Sequence, residues 1–197
     1  MNGVIRRRIS GESGQSMIEF AMVMPLIVVL ALGVIEVSWA LLDAHVVTRL
    51  AREGSNLISR DAGLADAGVA MQTMSSRPVD FTGSSAKLIF SVLRNVDTVG
   101  AANYDRAILY QRYEFGGLPA TSKLSTAGAG SFSPPDYQAA NPNNNTGLRV
   151  TNLPAGMTVT LGGMVYVTEI YSQHPMITPF DRFGITMPQI LYSIAYF

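Results

Sequence analysis

Residues 14–60 decide the fold, and they read GQSMIEFAMVMPLIVVLALGVIEVSWALLDAHVVTRLAREGSNLISR. The stretch from Phe20 to Ile35 contains no charged residue, and no turn signal separates it from the amphipathic sequence that follows. A helix that spans a bilayer needs about 20 mostly apolar residues. We therefore predict one long helix, with residues 15–42 as a transmembrane segment and residues 43–60 as its amphipathic continuation. In its second half, apolar side chains recur at three- and four-residue steps and predict one buried stripe, made of Val37, Ala40, Leu41, Ala44, Val47, Ala51 and Ile58. Asp43 is expected on the remaining, solvated surface.

Three arginines, Arg6, Arg7 and Arg8, precede this helix. Basic residues next to a transmembrane segment tend to stay on the cytoplasmic side. The sequence therefore predicts a single-pass protein of the inner (cytoplasmic) membrane whose N-terminus is cytoplasmic. Residues 61–197 then form an extracytoplasmic head.

Charge and cysteine content exclude several classes of function. The 197 residues include 14 Lys and Arg and 14 Asp and Glu, so the net charge is zero, and there is no cysteine. A neutral chain is poorly suited to electrostatic binding of nucleic acid, and we expect no such partner. Without cysteine, disulfides, thiol nucleophiles and thiolate metal sites are impossible. The partner that the apolar helix itself implies is membrane lipid.

One acidic residue, Glu19, stands at the front edge of the apolar run. A carboxylate inside hydrocarbon costs on the order of 2.5–3.5 kcal/mol, so such a residue usually has a partner and a function. If the chain is cut between Gly14 and Gln15, a new α-amine lies four residues before Glu19, about 6 Å along a helix axis. The amine and the carboxylate can then neutralise each other, within one chain or between neighbouring chains.

Two simpler interpretations of this N-terminus remain open. The first is an uncleaved signal anchor. The second is a cleaved secretory signal, with Ser38-Trp39-Ala40 as a small-x-small cleavage site. A glutamate at the start of the apolar region is unusual in a secretory signal, and the helical pattern continues through the supposed cut. Neither interpretation explains Glu19.

The stretch Gly14-Gln15-Ser16-Met17-Ile18-Glu19-Phe20 resembles a class III signal peptide of the type IV pilin superfamily. In that superfamily a glycine precedes the scissile bond and glutamate is the fifth mature residue. Three further runs resemble the TadE-like pseudopilins of tight-adherence (Flp) pilus systems: IEFAMVMPL at 18–26, GVIE at 33–36 and AREG at 51–54. The resemblance covers roughly residues 14–55.

The resemblance implies a processed structural subunit. Residues 1–14 would be a leader that a prepilin peptidase removes, so that Gly14 and Gln15 flank the processing site. Glu19, Phe20 and Pro25 would act in assembly. Proline inside a helix removes one hydrogen bond, so a kink or local loosening is expected at Pro25.

The implied partners are the prepilin peptidase, other minor pseudopilins, the major pilin and the inner-membrane assembly platform. Major pilins of these systems are short chains with almost no head. A mature product of 183 residues, 197 less the 14 of the leader, therefore suits a minor pseudopilin that acts in pilus initiation or at the tip. Such a subunit would also occur in the extracellular pilus.

We predict a pilin-like α+β fold, in which the long helix packs on an antiparallel sheet of about four strands. The candidate strands are Lys87–Val92, Ile108–Phe115, Thr158–Tyr171 and Ile185–Phe197. The first alternates, with Leu88, Phe90 and Val92 on one face. Gly162-Gly163 suggests a bend, and Pro188 favours an edge position for the last strand. A short helix capped by Asp61 is expected before the sheet.

The remaining features indicate no chemistry. Residues 116–152 form a Gly-, Ser-, Pro- and Asn-rich loop, which we interpret either as a partner-contacting surface or as a mobile decoration. His45 and His174 have no acidic or histidine partner at ligand spacing, so both are expected to be surface or packing residues and no metal site is predicted. No catalytic motif and no cofactor motif is present. The alternatives to a pilus subunit are an uncleaved, membrane-anchored binding domain or adhesin and, less favoured, an anchored enzyme.

Overall fold

One long helix forms the N-terminal part of the molecule. The computed structural model describes residues 12–60, 62–184 and 188–197; Arg6–Arg8 and Asp61 lie outside these residues. Helix α1 (Glu12–Ile58) has 47 residues and runs through Pro25 without interruption. Within the described part of the chain it carries the one stretch long and apolar enough to cross a membrane, with a mean hydropathy of 2.6 and none of it buried.

The head is a six-stranded antiparallel sheet with a second, short helix. In spatial order the strands are β3-β4-β2-β1-β5-β6, and the α+β prediction is confirmed. The four predicted strands form the body of the sheet, and two strands of two residues each were not expected. The elements are α2 (Leu64–Met74), β1 (Ala86–Asn95), β2 (Ala107–Phe115), β3 (Phe132–Ser133), β4 (Gln138–Ala139), β5 (Met164–Gln173) and β6 (Ile190–Tyr196).

Two predicted strand starts and one predicted cap need correction. β5 begins at Met164 rather than Thr158, because Gly162 turns the chain with a positive φ of 73°. β6 begins at Ile190, after Pro188, and it is an edge strand as that proline suggested. The N-cap of α2 is Gly63, which makes no side-chain cap bond.

The second half of α1 packs on one face of the sheet, over β5 and β6. Its buried positions form a single stripe that ends in the hydrophobic core, with the side chains Val47, Leu50, Ala51 and Ile58. Val37 and Leu41 were predicted on this stripe but are 47% and 66% exposed. Leu41 lies two residues before the buried Asp43, which is about 200° around the helix, so it faces away from the sheet.

Gly54, the last residue of the AREG run, lies at a close contact between α1 and the sheet. A Cβ atom there would lie 2.8 Å from Cγ2 of Thr168 and 3.1 Å from Cε1 of Phe90. The next residue, Ser55, donates a hydrogen bond of 3.0 Å from its hydroxyl to the Ala195 carbonyl on β6. These contacts explain why a residue without a side chain is needed at this position.

Gly54→Val is expected to lower the stability of the head by about 1–3 kcal/mol, because the added carbons overpack a closed helix–sheet contact. The matched control is Gly33→Val on the same helix, where a Cβ would meet nothing within 4 Å. Thermal unfolding of both full-length variants in detergent measures the difference. Equal melting temperatures for the two variants would show that α1 is not seated on the sheet through Gly54.

The first part of residues 116–152, a segment predicted as an irregular loop, covers the face of the sheet opposite α1. Leu118 and Leu124 are 2% and 5% exposed and pack against residues of β1, β2 and β5. The segment also supplies β3, β4 and a 3-10 turn at Thr146–Leu148. Its first part is therefore a second layer of the head rather than a decoration.

Candidate functional site

The residues predicted to act in processing and assembly lie along the first third of α1. Gly14, Gln15, Glu19, Phe20 and Pro25 are all exposed. The Gln15 side-chain amide donates a hydrogen bond of 3.1 Å to Oε1 of Glu19, one turn further along the helix. Residues 14 and 19 therefore share one exposed helical segment near the start of the described part of the helix.

Glu36 begins the junction between α1 and the head, and its side chain is completely buried. Oε2 accepts hydrogen bonds from the Thr178 amide (2.8 Å) and the Thr178 hydroxyl (2.7 Å). The Ile177 amide lies 3.2 Å from both carboxylate oxygens. A buried carboxylate is costly unless it is hydrogen-bonded, and here the segment after β5 supplies the donors.

His174 joins this carboxylate to a second one on the same helix face. Its Nδ1 lies 2.6 Å from Oδ2 of Asp43, and its Nε2 lies 3.9 Å from Oε1 of Glu36. Both His174 and Asp43 are buried. Seven residues separate Glu36 from Asp43, which is two helical turns or about 10 Å, so an imidazole can lie between them.

We call Glu36, Asp43, His174 and Thr178 the junction cluster. Sequence reasoning missed it, because it placed Asp43 on the exposed side of the helix and found no acidic partner for His174. His174 is a buried residue of the junction, whereas His45 is exposed as predicted. The helical spacing could have predicted the burial of these two carboxylates, since Glu36 and Asp43 continue the buried stripe of α1 toward its N-terminus.

The junction cluster also limits the free part of the helix. Between Met17 and Ile35 the side chains are exposed, apart from half-buried positions at Leu32 and Gly33. Trp39, one turn after Glu36, is 47% exposed, and tryptophan is enriched where helices leave a membrane. The predicted transmembrane segment, residues 15–42, therefore overlaps with the head from Glu36 onward.

A second buried carboxylate, Glu169 on β5, holds the covering layer on the far face of the sheet. Its Oε1 accepts hydrogen bonds from the Lys123 amide (2.8 Å) and from the hydroxyls of Tyr171 and Tyr192 (both 3.2 Å). The Ser122 hydroxyl donates to its other oxygen. All the donors come from the head, so this cluster is a structural one.

Burial, and after it the neighbouring Glu169 carboxylate, raise the pKa of Tyr171 and of Tyr192 above the ordinary value. The folded head therefore holds these two protons more tightly than the unfolded chain, in which tyrosine titrates near pH 10. The stability that they contribute is complete below about pH 10 and is lost as the pH rises above it.

The head is accordingly expected to unfold progressively above about pH 10, and Tyr192→Phe should weaken this pH dependence because it removes one of the two protons. At neutral pH the same variant should cost about 1 kcal/mol, since a hydrogen bond to Glu169 is lost. Denaturant unfolding from pH 8 to pH 11 measures both effects, with the exposed Tyr104→Phe as the control. An unchanged pH slope in Tyr192→Phe would contradict the assignment.

Comparison with known proteins identifies the segment that contains the junction carboxylates. Residues 14–56 match the sequence profile of the family described as TadE-like protein. The resemblance predicted from the sequence is thereby confirmed for α1. The TadE-like match begins at Gly14 and ends at Asn56, two residues after the glycine that seats the helix on the sheet. No curated protein and no solved structure matches the chain.

The TadE-like match indicates a general class of function. TadE-like proteins form a structural family associated with the tight-adherence pilus, not an enzyme family, and such a protein interacts with other pilus components. The apolar half of α1 is a candidate membrane anchor for such a protein. Within this TadE-like segment lie both helix residues of the junction cluster, Glu36 and Asp43, as well as the predicted assembly residue Glu19.

Proposed function

We propose that this chain is a minor pseudopilin of a tight-adherence pilus, made as a precursor and acting in pilus initiation or at the tip. The observation that carries the proposal is one exposed carboxylate, Glu19, on an otherwise apolar exposed helix, one turn after the Gly14–Gln15 bond. The TadE-like match over residues 14–56 supports the family assignment behind it. A carboxylate in this position costs free energy in lipid unless an assembly step uses it.

Cleavage after Gly14 by a prepilin peptidase creates the partner for Glu19. The α-amine of Gln15 replaces the side-chain amide that now contacts Glu19 at 3.1 Å. In the low dielectric of a membrane or filament core, the attraction between an ammonium group and a carboxylate is far stronger than in water. Between neighbouring subunits the same pair would fix the axial register of one helix against the next.

The membrane span in this proposal is residues 15–35, shorter than the predicted 15–42. Twenty-one helical residues extend about 32 Å, close to the 30 Å hydrocarbon thickness of a bilayer. The junction cluster then lies at the membrane surface beside Trp39, and the head lies outside the cytoplasm. The inner membrane, its assembly platform and the other pilins are the proposed surroundings of the subunit.

Gly14→Val tests the processing step. The peptidase must approach the backbone before the scissile bond closely, and a β-branched side chain there obstructs it. We expect the wild type to lose its leader in cells that contain the peptidase and Gly14→Val to keep it, as read from intact mass. Gly33→Val, the same substitution in the same helix, should be processed normally. Retention of the leader in the wild type would instead favour an uncleaved anchored binding domain or adhesin.

A further inference from the structure

The two edges of the sheet are built differently. At one edge lie β3 and β4, which have two residues each. At the other edge lies β6, seven residues of sequence ILYSIAY with no charge and no proline inside it. Soluble sheets usually protect long edges with charges, prolines, bulges or very short strands. The β3–β4 edge has this protection and the β6 edge does not.

The register of β5 and β6 shows which backbone groups of β6 are free. Phe197 and Tyr166 exchange two hydrogen bonds of 2.9 Å, and the His174 amide donates to the Gln189 carbonyl at 2.8 Å. Bonded positions in an antiparallel pair recur at every second residue. The amides and carbonyls of residues 191, 193 and 195 therefore face β5, and those of residues 190, 192, 194 and 196 face outward without a partner among the described residues.

Helix α1 packs over β5 and β6, and a separate cleft lies at each end of β6. Near the start of β6 there is a cleft of about 1160 Å³, lined by Trp39 and Asp43 of the helix and by Pro188 and Ile190. Near its end there is a cleft of about 400 Å³ between Arg52 and Phe197. The free edge is thus continuous with space for side chains at both ends.

The basic and acidic residues that line the two clefts differ in whether they have partners. Arg77 lines the first cleft and Arg52 the second, and both are exposed without an ion pair or side-chain hydrogen bond among the described residues. The acidic residues of the same clefts already have partners: Asp43 contacts His174, Glu53 pairs with Arg49, and Asp80, which keeps its charge, accepts from Thr82. An arginine without an ion-pair partner among the described residues therefore lies beside each end of the uncharged strand.

We propose that the β6 edge and the two clefts at its ends bind an extended β-strand of another pilus subunit, with an uncharged stretch of about seven residues flanked by acidic side chains. The strand would pair with the outward backbone groups of residues 190–196, a length of about 23 Å. Its flanking carboxylates would meet Arg52 and Arg77. This inference rests on the proposed function, since it takes the occupant from the same assembly.

A second copy of the chain is a poorer occupant. Two antiparallel β6 strands joined in one sheet are related by a two-fold axis normal to that sheet. Because α1 lies along the sheet, this axis reverses the direction of one helix relative to the other. Two subunits anchored in one membrane cannot adopt that arrangement, so the edge is expected to pair with a different chain.

Photo-crosslinking in the full-length protein tests the proposal. A benzoyl-phenylalanine is placed at Ile190 or at Phe197, which are 48% and 65% exposed at the two ends of the edge, and at Val99 as a control that is 82% exposed. The cells contain the complete pilus machinery, and crosslinked peptides are sequenced by mass spectrometry. Co-purification with the other pilus subunits is measured in the same samples.

We expect the two edge positions to crosslink to the two ends of one uncharged segment of another subunit, and the Val99 position not to do so. Reversing both cations, Arg52→Glu with Arg77→Glu, should lower the yield roughly tenfold, whereas Arg106→Glu, an exposed arginine outside the clefts, should not. Crosslinks to lipid or to a second copy alone, or a yield unchanged by the double reversal, would overturn the proposal. If the protein co-purifies normally with the other pilus subunits but gives no crosslink, the proposed binding at the β6 edge is refuted and the proposed function is not. If both the crosslink and the co-purification are lost, the proposed function is refuted as well.

Discussion

Replacing Glu36 with glutamine is expected to lower the melting temperature of the protein by on the order of 10 °C. The variant keeps the shape of the side chain but loses the charge that the Thr178 and Ile177 donors surround. The NH₂ group of the new glutamine also faces at least one of the Thr178 and Ile177 donors, and two donors cannot form a hydrogen bond with each other. Removing one member of a buried charged network typically costs about 3–5 kcal/mol, which in a domain of this size corresponds to that shift.

The matched control for this prediction is Glu53→Gln, the same substitution on the same helix. Glu53 forms an exposed ion pair of 2.8 Å with Arg49, and such i,i+4 pairs contribute about 0.3–0.5 kcal/mol. Thermal unfolding of both full-length variants in detergent, followed by circular dichroism, compares them directly. Similar small shifts in both variants would mean that the junction cluster does not hold the head on α1.

Periodicity made much of the fold predictable. Apolar residues at three- and four-residue steps indicated one helix from the N-terminal region to about residue 58, and alternation within Lys87–Val92 placed Leu88, Phe90 and Val92 on one face, where they are buried in the core with α1. The short strands β3 and β4 were missed because two residues carry no periodic signal. The start of β5 was missed because Gly162 was interpreted as a bend inside the strand.

The junction cluster could not be predicted in the same way. Asp43 and His174 are 131 residues apart in the chain, and nothing local pairs them. A charged residue on an amphipathic helix is ordinarily assigned to the solvated face, so Asp43 was placed there. The burial of Glu36 depends on a loop that returns from the far end of β5, and only the tertiary fold shows that return.

Residues 116–152 illustrate the opposite error. Their composition is that of a loop, and they contain little regular structure. They are nevertheless held on the sheet by buried leucines and by hydrogen bonds of Ser122 and Lys123 to Glu169. Amino-acid composition predicts that the backbone of such a segment is irregular, but it does not predict whether the segment packs against the sheet.

Glu19 is the residue on which the assembly proposal depends. As an unpaired carboxylate it opposes membrane insertion, so Glu19→Leu should insert at least as well as the wild type. It should still be cut after Gly14, because the cleavage site is unchanged. In the filament it removes the partner of the Gln15 amine, and an unpaired buried charge costs about 3–5 kcal/mol, equivalent to a loss of roughly 10²- to 10⁴-fold in association.

The assembly role of Glu19 is therefore best measured by surface piliation of a strain that carries only Glu19→Leu, with co-purification of the other pilus subunits as its biochemical counterpart. Glu114→Leu, which removes an exposed glutamate of β2 outside both clefts, is the control and should give normal pili. We expect a processed, membrane-inserted Glu19→Leu protein that fails to join the other subunits and leaves the cells without pili. Normal piliation with Glu19→Leu would contradict this expectation and would leave α1 as a plain membrane anchor.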